Sequence, residues 1–447
     1  MDKREPVNSI HADHTAFLED TTADTMALTQ SIEPVPGEME FWDSSPELAT
    51  IYGWAASRAT SLWPLLGAVL LRILARVPVS AQLPPITGAP GSLNLIVGCV
   101  GPSGGGKSVI WSRSGDACHF TDISTQVITV SLATGQGIPH SYRRKVGSEQ
   151  EVVATSVLWL VNEVDTLAAY SSSLGSTTLA ELRKLYTGEQ LGYGLATGSQ
   201  SLHVPAHSYR AGVWVNIQPG KAGFLLTDDE TRGGTPQRFL WMPTQRPLAW
   251  RGAAKPKEPR ALKWGCPDTF GHLNVCGEAI QAIEEANEER GYAPITQTDF
   301  ALDSHQLFTR LKVAAALALL EGRPEVANQD WERAEVVMAV SDRTRAICKA
   351  EVDCVAAAKN RSIGRADATR AMIIDEAREQ RLRASATRRI FQVVGRTTGG
   401  VSHRDLTRSL TPSQREVWIE VLDHLVASKQ IVVEGDGPVK RYRLSTP

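Results

Sequence analysis

The sequence predicts an α/β fold in which a parallel β-sheet core is followed by a helical lid and a small C-terminal domain. Three observations lead to this prediction. Short apolar runs, typical of strands buried on both faces, alternate with helical patterns between residues 93 and 242. From Asp303 onward the apolar residues recur with the period of a helix. Residues 386–444 have the pattern of three helices followed by a β-hairpin.

The composition is that of an ordinary globular protein. The chain has 447 residues, of which 42% are hydrophobic and 21% are charged, and this length predicts about two to four domains. The net charge of −2 combines a segment of −8 at residues 1–45 with one of +6 at residues 381–447. We expect the acidic segment to be a disordered tail. The basic segment is a candidate for nucleic-acid contact.

Cysteine spacing and hydropathy favour a cytoplasmic protein. The six cysteines form no C-x2-C pair and no Cys/His cluster with zinc spacing, so we expect buried, reduced thiols. No signal peptide begins the chain. The most apolar stretch, residues 62–71, is too short to span a bilayer and ends at Arg72. We therefore expect no membrane contact.

The first predicted elements lead to a phosphate-binding loop. Helices are predicted at residues 46–56 and 61–76, and a Pro- and Gly-rich connector follows at residues 84–91. The apolar run at residues 93–100 then continues directly into GPSGGGKS. This is the G-x4-G-K-[ST] pattern in the strand–loop–helix context that it requires.

The chemistry of this loop predicts a bound nucleoside triphosphate with Mg²⁺. Glycines allow backbone amides to curl around phosphates, Lys107 reaches the β- and γ-phosphates, and Ser108 offers its hydroxyl to Mg²⁺. A flexible glycine turn is the alternative. The predicted ATP-binding residues are Gly101, Pro102, Ser103, Gly104, Gly105, Gly106, Lys107 and Ser108.

Further strands are predicted around this loop. They lie at residues 126–130, 157–161, 212–218 and 239–242, with a helix at residues 178–186 between them. Strands that alternate with helices around a phosphate-binding loop predict a parallel sheet with the site at its C-terminal edge.

The second of these strands carries the candidate catalytic acids. ATP hydrolysis needs a carboxylate near Mg²⁺ and a group that activates water, at the end of a strand beside the P-loop strand. Glu163 is our candidate for polarising the attacking water. Asp165 or Asn162 would join Ser108 near the metal, although Asp is commoner where Asn162 stands. These residues would also suit the start of a surface helix.

Three further polar residues are candidates for contact with the triphosphate. Asn216 ends an apolar strand and could sense the γ-phosphate, with Gln218 as the second choice. Arg238 follows a glycine-rich turn and would suit the charge that develops on a transferring phosphoryl group, in trans if subunits assemble. Arg310, at the start of the lid, could contact the same nucleotide. Each of the three could instead serve a structural role.

A basic loop at residues 140–145 is a candidate DNA contact. Cations beside an aromatic ring suit a phosphodiester backbone, and in a ring such a loop would project into the central channel. A solvated turn is the alternative. The DNA-binding residues predicted here are Tyr142, Arg143, Arg144 and Lys145.

The C-terminal pattern predicts a winged-helix domain. Gly399 and Gly400 end the first helix, Ser402 and Ser413 can cap the next two, and residues 431–433 and 441–444 can pair as a hairpin. We expect Arg404 and Arg415 to contact DNA, with a helical lid or a protein contact as the alternative. The predicted domains are a tail (1–45), an ATPase core with N-terminal helices (46–255), a lid and spacer (256–380) and the winged helix (381–447).

Several sequence blocks resemble those of helicase-like, primase-associated P-loop ATPases of phages and mobile elements. The blocks are GPSGGGKS, TGQG at 134–137, LVNEVDTL at 160–167, VNIQPGKAGFLL and GGTPQRFL within 215–240, and residues 303–320 with DWERA at 330–334. The resemblance covers about residues 46–345. The order of parts is similar to that of AAA+ replicative helicases of the minichromosome-maintenance type, although we expect no primase or zinc module and no N-terminal DNA-binding domain of that helicase type in this sequence.

This resemblance implies a hexameric, ATP-driven DNA helicase or translocase that serves replication of a phage or mobile genetic element. Single-stranded DNA would pass through a central channel, and a primase or other replication protein would be a further partner. An ATP-switched initiator, loader or defence adaptor without unwinding activity is the alternative. A small-molecule kinase or metabolic ATPase is a third hypothesis, but nothing after the P-loop resembles an acceptor site.

Overall fold

The structure, a computed structural model, describes residues 34–121, 125–132, 134–147, 149–172, 176–192, 202–267, 271–292, 299–435 and 440–445. In the helix that begins at Asp299, side chains are described from residue 305 onward. The chain forms two compact units, which divide between Val355 and Ala356.

The first unit is built on a parallel sheet. In chain order its strands are β1 (Leu95–Val100), β2 (Cys118–Phe120), β3 (Val127–Ser131), β4 (Arg143–Val146), β5 (Glu149–Val152), β6 (Ser156–Val161), β7 (Arg210–Ile217), β8 (Phe239–Pro243), β9 (Leu262–Trp264), β10 (Asn274–Val275) and β11 (Glu325–Val326). Five of them form the central sheet in the order β3-β6-β7-β1-β8, with every neighbouring pair parallel. The prediction of an α/β fold with a parallel core sheet is confirmed.

Helices cover both faces of this sheet. They are α1 (Glu38–Asp43), α2 (Pro46–Ser57), α3 (Leu62–Leu74), α4 (Lys107–Ala117), α5 (Val164–Ser172), α6 (Thr178–Thr187), α7 (Asp228–Arg232), α8 (Gly277–Tyr292), α9 (Asp299–Leu320) and the start of α10 (Asn328–Gly395). Successive residues of β1 enter two different apolar clusters: Val97 and Cys99 join one, Ile96 and Val100 the other. Burial on both faces explains why this strand is a continuous apolar run.

The helical region begins earlier than predicted. The expected tail ends at residue 45, but α1 carries Phe41 and Trp42 into the core. Glu38 accepts a hydrogen bond from Trp63 Nε1 at 2.9 Å and pairs with Arg343 at 2.9 Å. Burial of two aromatic rings outweighs the acidic character of this segment, so the boundary moves to before Glu38. Residues 1–33 of the predicted tail lie outside the described residues.

The predicted boundaries of the lid also change. β9 pairs with β2, and α9 packs on α3, so residues beyond 256 share the core of the first unit. Lys312 of α9 is buried and its Nζ donates to the carbonyl oxygen of Asn94 at 2.8 Å. Residues 361–380, the charged end of the predicted lid and spacer (256–380), lie within α10.

The second unit contains the end of α10, two short helices and a small antiparallel sheet. Its elements are β12 (Val401–Ser402), α11 (His403–Ser409), α12 (Gln414–Ala427), β13 (Ile431–Glu434) and β14 (Arg441–Leu444), with strand order β12-β14-β13. The predicted pairing of the last two strands is present, although residues 436–439 of the turn lie outside the described residues. Ser402 caps α11 as predicted, whereas Ser413 makes no side-chain cap for α12.

In the described part of the chain, none of the helices combines the length and the apolarity that crossing a lipid bilayer requires.

Candidate functional site

The loop between β1 and α4 has the backbone form that its glycines permit. β1 is buried along its whole length, and the loop emerges at its carboxyl end. Gly104 and Gly106 have φ of 75° and 74°, a left-handed conformation that glycine adopts without strain. Gly106 precedes the first residue of α4, Lys107. The amino terminus of α4, where free N–H groups favour an anion, therefore faces the loop.

Gly101 makes a close contact that excludes a side chain. A Cβ atom at this position would lie 1.9 Å from Thr244 Oγ1, beyond the end of β8. The backbone of Thr244 also donates to the carbonyl oxygen of Val100 at 2.7 Å. The first residue of the glycine-rich loop is thus held directly against the segment that follows β8.

Gly101→Ala is expected to destabilise the protein by about 1–3 kcal/mol, because the added methyl group overpacks this contact. Urea unfolding measures the change, and Gly277→Ala is the matched control because a Cβ there meets nothing within 4 Å. Adding Thr244→Gly to Gly101→Ala should recover most of the loss. Wild-type stability of Gly101→Ala would contradict the contact.

Lys107 lies folded over the loop. Its Nζ donates to the carbonyl oxygens of Gly101 at 2.8 Å and Pro102 at 2.6 Å. Partial burial lowers the pKa of Lys107 below its ordinary value, and the negative charge of Glu163 acts in the opposite direction. Glu163 is therefore close enough to act electrostatically on the loop lysine, as expected of a carboxylate near the triphosphate.

β6, the strand that precedes Glu163, is not the neighbour of β1, which corrects our expectation. β7 lies between β6 and β1, and Asn216 lies near the carboxyl end of β7. The Asn216 Nδ2 donates to the carbonyl oxygen of Asn162 at 3.1 Å, and its Oδ1 accepts from Trp214 Nε1 at 2.9 Å. The buried amide thus braces the end of β6. Gln218, the second choice, is partly exposed before a short 3-10 helix.

Asp165 is paired with a lysine that the sequence pattern does not single out. Lys221 Nζ forms an ion pair with Asp165 Oδ2, and the hydrogen bond to this carboxylate raises the pKa of Lys221. Glu163 adds to the same rise. Two lysines, Lys107 and Lys221, therefore flank the acids at the start of α5.

Ser108, Asn162 and Glu163 are all exposed and could reach a ligand at this edge of the sheet. No group of three His, Cys, Asp or Glu side chains within the described ranges could hold a metal ion alone. The donors present, a hydroxyl, an amide and carboxylates, fit a hard cation such as Mg²⁺ that shares ligands with phosphate oxygens and water.

Arg238 is buried. We had expected this arginine to be accessible to a nucleotide on a neighbouring subunit, and its burial contradicts that expectation. Only 8% of the residue is exposed. Its guanidinium donates to the carbonyl oxygen of Gly233 at 2.9 Å and lies 3.2 Å from His305 Nε2. Burial and the positive charge of Arg238 lower the pKa of His305 to about 4, which keeps the imidazole neutral beside the guanidinium.

Arg310 is also held within its own unit. Its Nε and one terminal nitrogen donate to the carbonyl oxygen of Trp331 at 3.1 and 3.0 Å, and it pairs with Glu335 at 2.9 Å. The guanidinium stacks on the Trp331 ring. These contacts join α9 to α10. They give Arg310 a structural role that does not require a bound nucleotide.

Tyr142 belongs to the core, which contradicts its predicted contact with DNA. It is 1% exposed, its hydroxyl donates to the carbonyl oxygen of Arg210 at 3.1 Å, and its ring contacts Tyr209. The residues that follow form a β-hairpin, β4 with β5, instead of a plain loop. Arg144 on this hairpin is 69% exposed and pairs with Glu151 at 2.7 Å.

The other predicted DNA contacts differ in exposure. On the hairpin, Arg143 and Lys145 are partly exposed. In the second unit, Arg404 is exposed on α11. The Arg415 Nε donates to the carbonyl oxygen of Thr407 at 3.1 Å, so Arg415 is tied to the neighbouring helix.

An aromatic cleft lies beside the segment that touches Gly101. The residues after Thr244 line a cavity of 650 Å³, with Tyr52 and Trp250 among its walls and Arg246 at its side. The two rings stand nearly perpendicular, and Trp250 Nε1 donates to the Tyr52 hydroxyl at 2.7 Å. The sequence signal for this cleft is the clustering of aromatic residues in α1–α3 and at Trp250.

No protein-family model matches the chain, and no curated protein sequence matches it.

Proposed function

We propose that this chain is an AAA+-like P-loop ATPase that acts on DNA. The observation that carries the proposal is the glycine-rich loop at the end of β1, with Lys107 folded over it and Glu163 within electrostatic reach. β1 and β7 are neighbours in the sheet, but the connections that follow them run in opposite directions. After β1 the chain continues to β3 at one edge of the sheet, and after β7 it continues to β8 at the other edge. Ligands of open α/β sheets bind at such a reversal.

The residues divide the work of hydrolysis. Lys107 would exchange its two carbonyl contacts for phosphate oxygens, and the amino terminus of α4 would support the negative charge. Glu163 would orient and activate the attacking water. Mg²⁺, when bound, would neutralise phosphate charge, and Ser108 with Asn162 or Asp165 is the set of side chains available to hold it.

The aromatic cleft fits the base of the nucleotide. Its lining includes Arg246 and Pro247, in the segment that follows Thr244, and Thr244 contacts Gly101 on the β8 side of the loop, while Glu163 lies toward β6 on the opposite side. A nucleotide with its γ-phosphate near Glu163 would therefore direct its base toward Tyr52 and Trp250. Apolar and aromatic walls with a small number of polar groups, here Arg246, Arg251 and Lys255, are typical of such pockets.

The β4–β5 hairpin supports a role on DNA. It carries the exposed Arg144 together with Val146 and Val152, which are 49% and 57% exposed. The hairpin also carries the exposed acids Glu149 and Glu151, and its cations and apolar side chains suit the backbone and bases of a single strand. We therefore propose a helicase or translocase for replication of a phage or mobile element, assembled as a hexamer with DNA in its channel. A primase or other replication protein would be a further partner.

ATP hydrolysis with and without single-stranded DNA tests this function. We expect a severalfold stimulation by DNA, and loss of that stimulation in Arg144→Ala. Glu151→Gln is the matched control, because it breaks the same ion pair but keeps the cation, and it should retain stimulation. Basal hydrolysis should be similar in all three proteins. The absence of DNA binding and of DNA-stimulated hydrolysis in the wild type would overturn the motor function.

An ATP-switched initiator, loader or adaptor is the second candidate. The observation that favours it is the burial of Arg238 and the internal pairing of Arg310, because neither arginine is presented for a nucleotide on another subunit. Hydrolysis that is indifferent to DNA, with assembly on ATP binding, would select this candidate.

A further inference from the structure

The second unit separates its charges between two surfaces. Residues 381–447 carry twelve Lys and Arg against six Asp and Glu, a net charge of +6. Three of the six acids, Glu416, Glu420 and Asp423, are exposed on the single helix α12. The excess positive charge therefore lies on the other surfaces of the unit.

The exposed face of α12 carries more acids than bases and is partly apolar: Arg415 stands beside Glu416, Glu420 and Asp423, and Glu420 pairs with Arg383 at 3.0 Å. The helix buries Trp418, Leu422 and Leu425, which leaves Ile419, 58% exposed, among the three carboxylates. In a helix-turn-helix the second helix enters the major groove, and in the pair α11–α12 this would be α12. The carboxylates of Glu416 and Asp423 would repel DNA phosphates on approach.

β14 presents the opposite charge on another surface. Arg441 and Arg443 are exposed and alternate with the buried Tyr442, so both arginines lie on the outer face of the sheet. Arg441 donates to the carbonyl oxygen of Gly399 at 3.1 Å, and Arg443 pairs with Glu434 at 3.3 Å. Both guanidinium groups keep further N–H donors that can reach a ligand.

A glycine turn makes room for the two arginines. Gly400 has φ of 76°, and a Cβ atom there would lie 3.1 Å from both Arg441 Cβ and Arg443 Cγ. Any larger residue would push the stems of both arginines away from the turn. Gly400 therefore lets the arginines lie side by side against the backbone.

We propose that the second unit binds the phosphodiester backbone of DNA through the β14 surface, defined by Arg441, Arg443 and the turn at Gly400, and not through α12. This inference rests on the proposed action on DNA. Guanidinium groups can hold phosphate oxygens through two parallel N–H bonds. Phosphate contacts of this kind position a protein on DNA without reading its sequence.

Site-specific photocrosslinking in the full chain tests the assignment. A benzophenone side chain replaces Val432, the cross-strand partner of Arg443 that is 44% exposed, or Ile419 on α12 as the control. Labelled duplex and single-stranded DNA are added without nucleotide, in a Lys107→Ala chain. We expect crosslinks from position 432 and not from 419. Crosslinks from 419 alone, or from neither position, would overturn the proposal.

Paired substitutions supply the energetic test. Arg441→Gln with Arg443→Gln should weaken DNA binding at every sequence, and should lower the slope of log affinity against log salt by about 2. Glu416→Gln with Glu420→Gln should leave affinity equal or higher. Thermal unfolding checks that both pairs fold. Unchanged affinity in the arginine pair overturns the proposal.

The two hypotheses fail separately. The ATP hydrolysis of the wild type without DNA tests the ATPase, and the crosslink map in the Lys107→Ala chain does not depend on it. Absence of ATP hydrolysis in the wild type, together with crosslinks from position 432, would overturn the proposed ATPase activity and support DNA binding by the β14 surface. ATP hydrolysis without crosslinks from position 432 would support the ATPase activity and overturn the proposal for the β14 surface.

Discussion

Lys107→Ala is expected to lower kcat for ATP hydrolysis by about 10²–10³-fold, the typical cost of removing one preorganised donor from a developing negative charge. Lys107 Nζ is held over the loop by the carbonyl oxygens of Gly101 and Pro102. Because the side chain already lies over the loop, Lys107 loses little conformational entropy when its ammonium group exchanges these carbonyl contacts for phosphate oxygens. A steady-state phosphate-release assay measures the loss of turnover.

Two variants control this experiment. Lys263→Ala removes an exposed lysine from β9 and should keep wild-type hydrolysis. Lys107→Arg keeps the charge but replaces a compact ammonium by a planar fork, so it should recover little activity. Wild-type turnover in Lys107→Ala would contradict the assignment of this loop as the site of ATP hydrolysis.

The parallel core sheet and the glycine-rich turn after β1 could be predicted because their determinants are local. The loop needs particular residues at adjacent positions, and a strand buried on both faces needs only a continuous apolar run. Both signals are legible within a few residues of sequence. The place of Glu163 could be predicted because it follows the apolar run of β6. The carboxyl ends of parallel strands lie at one edge of the sheet, so Glu163 and the loop after β1 lie at the same edge.

The errors arise where an outcome depends on distant parts of the chain. No local pattern in the sequence indicates that β7 lies between β6 and β1. The hydrogen bond from Asn216 to the end of β6 could therefore not be predicted. Tyr142 lies beside three cations in the sequence, yet Tyr209 and the strand of Arg210 enclose it. Arg238 follows a glycine-rich turn that suggests exposure, but α9 covers it with His305. Burial is set by packing partners that local composition does not reveal.

The ion pair between Lys221 and Asp165 bears directly on the choice between the two acids. An acid already held by an ammonium group is less available as a base, whereas Glu163 acts at a distance on both lysines. This difference predicts unequal effects from two equally small substitutions. Glu163→Gln should lower kcat by about 10²–10⁴-fold, the range expected for loss of general-base catalysis. Asp165→Asn should lower it far less.

Nucleotide binding separates loss of chemistry from loss of the site. Near neutral pH, Glu163→Gln should bind ATP about as well as the wild type, since it removes a carboxylate that repels the γ-phosphate and leaves the loop intact. At alkaline pH the result should differ. Glu163 holds the pKa of Lys107 up against the effect of burial, so its neutralisation lowers that pKa further. The ammonium group, which is charged below its pKa, would then be lost at a lower pH, and ATP affinity with it.

The pH profile of ATP affinity is therefore the decisive measurement for Glu163. Fluorescent-nucleotide titrations of wild type, Glu163→Gln and Asp165→Asn would follow affinity from neutral to alkaline pH. A downward shift of the alkaline limb in Glu163→Gln, together with lost turnover, would place its carboxylate both on the water and within reach of Lys107. A larger loss of turnover in Asp165→Asn would transfer the catalytic role to Asp165 and make the ion pair with Lys221 a resting contact that ATP must break.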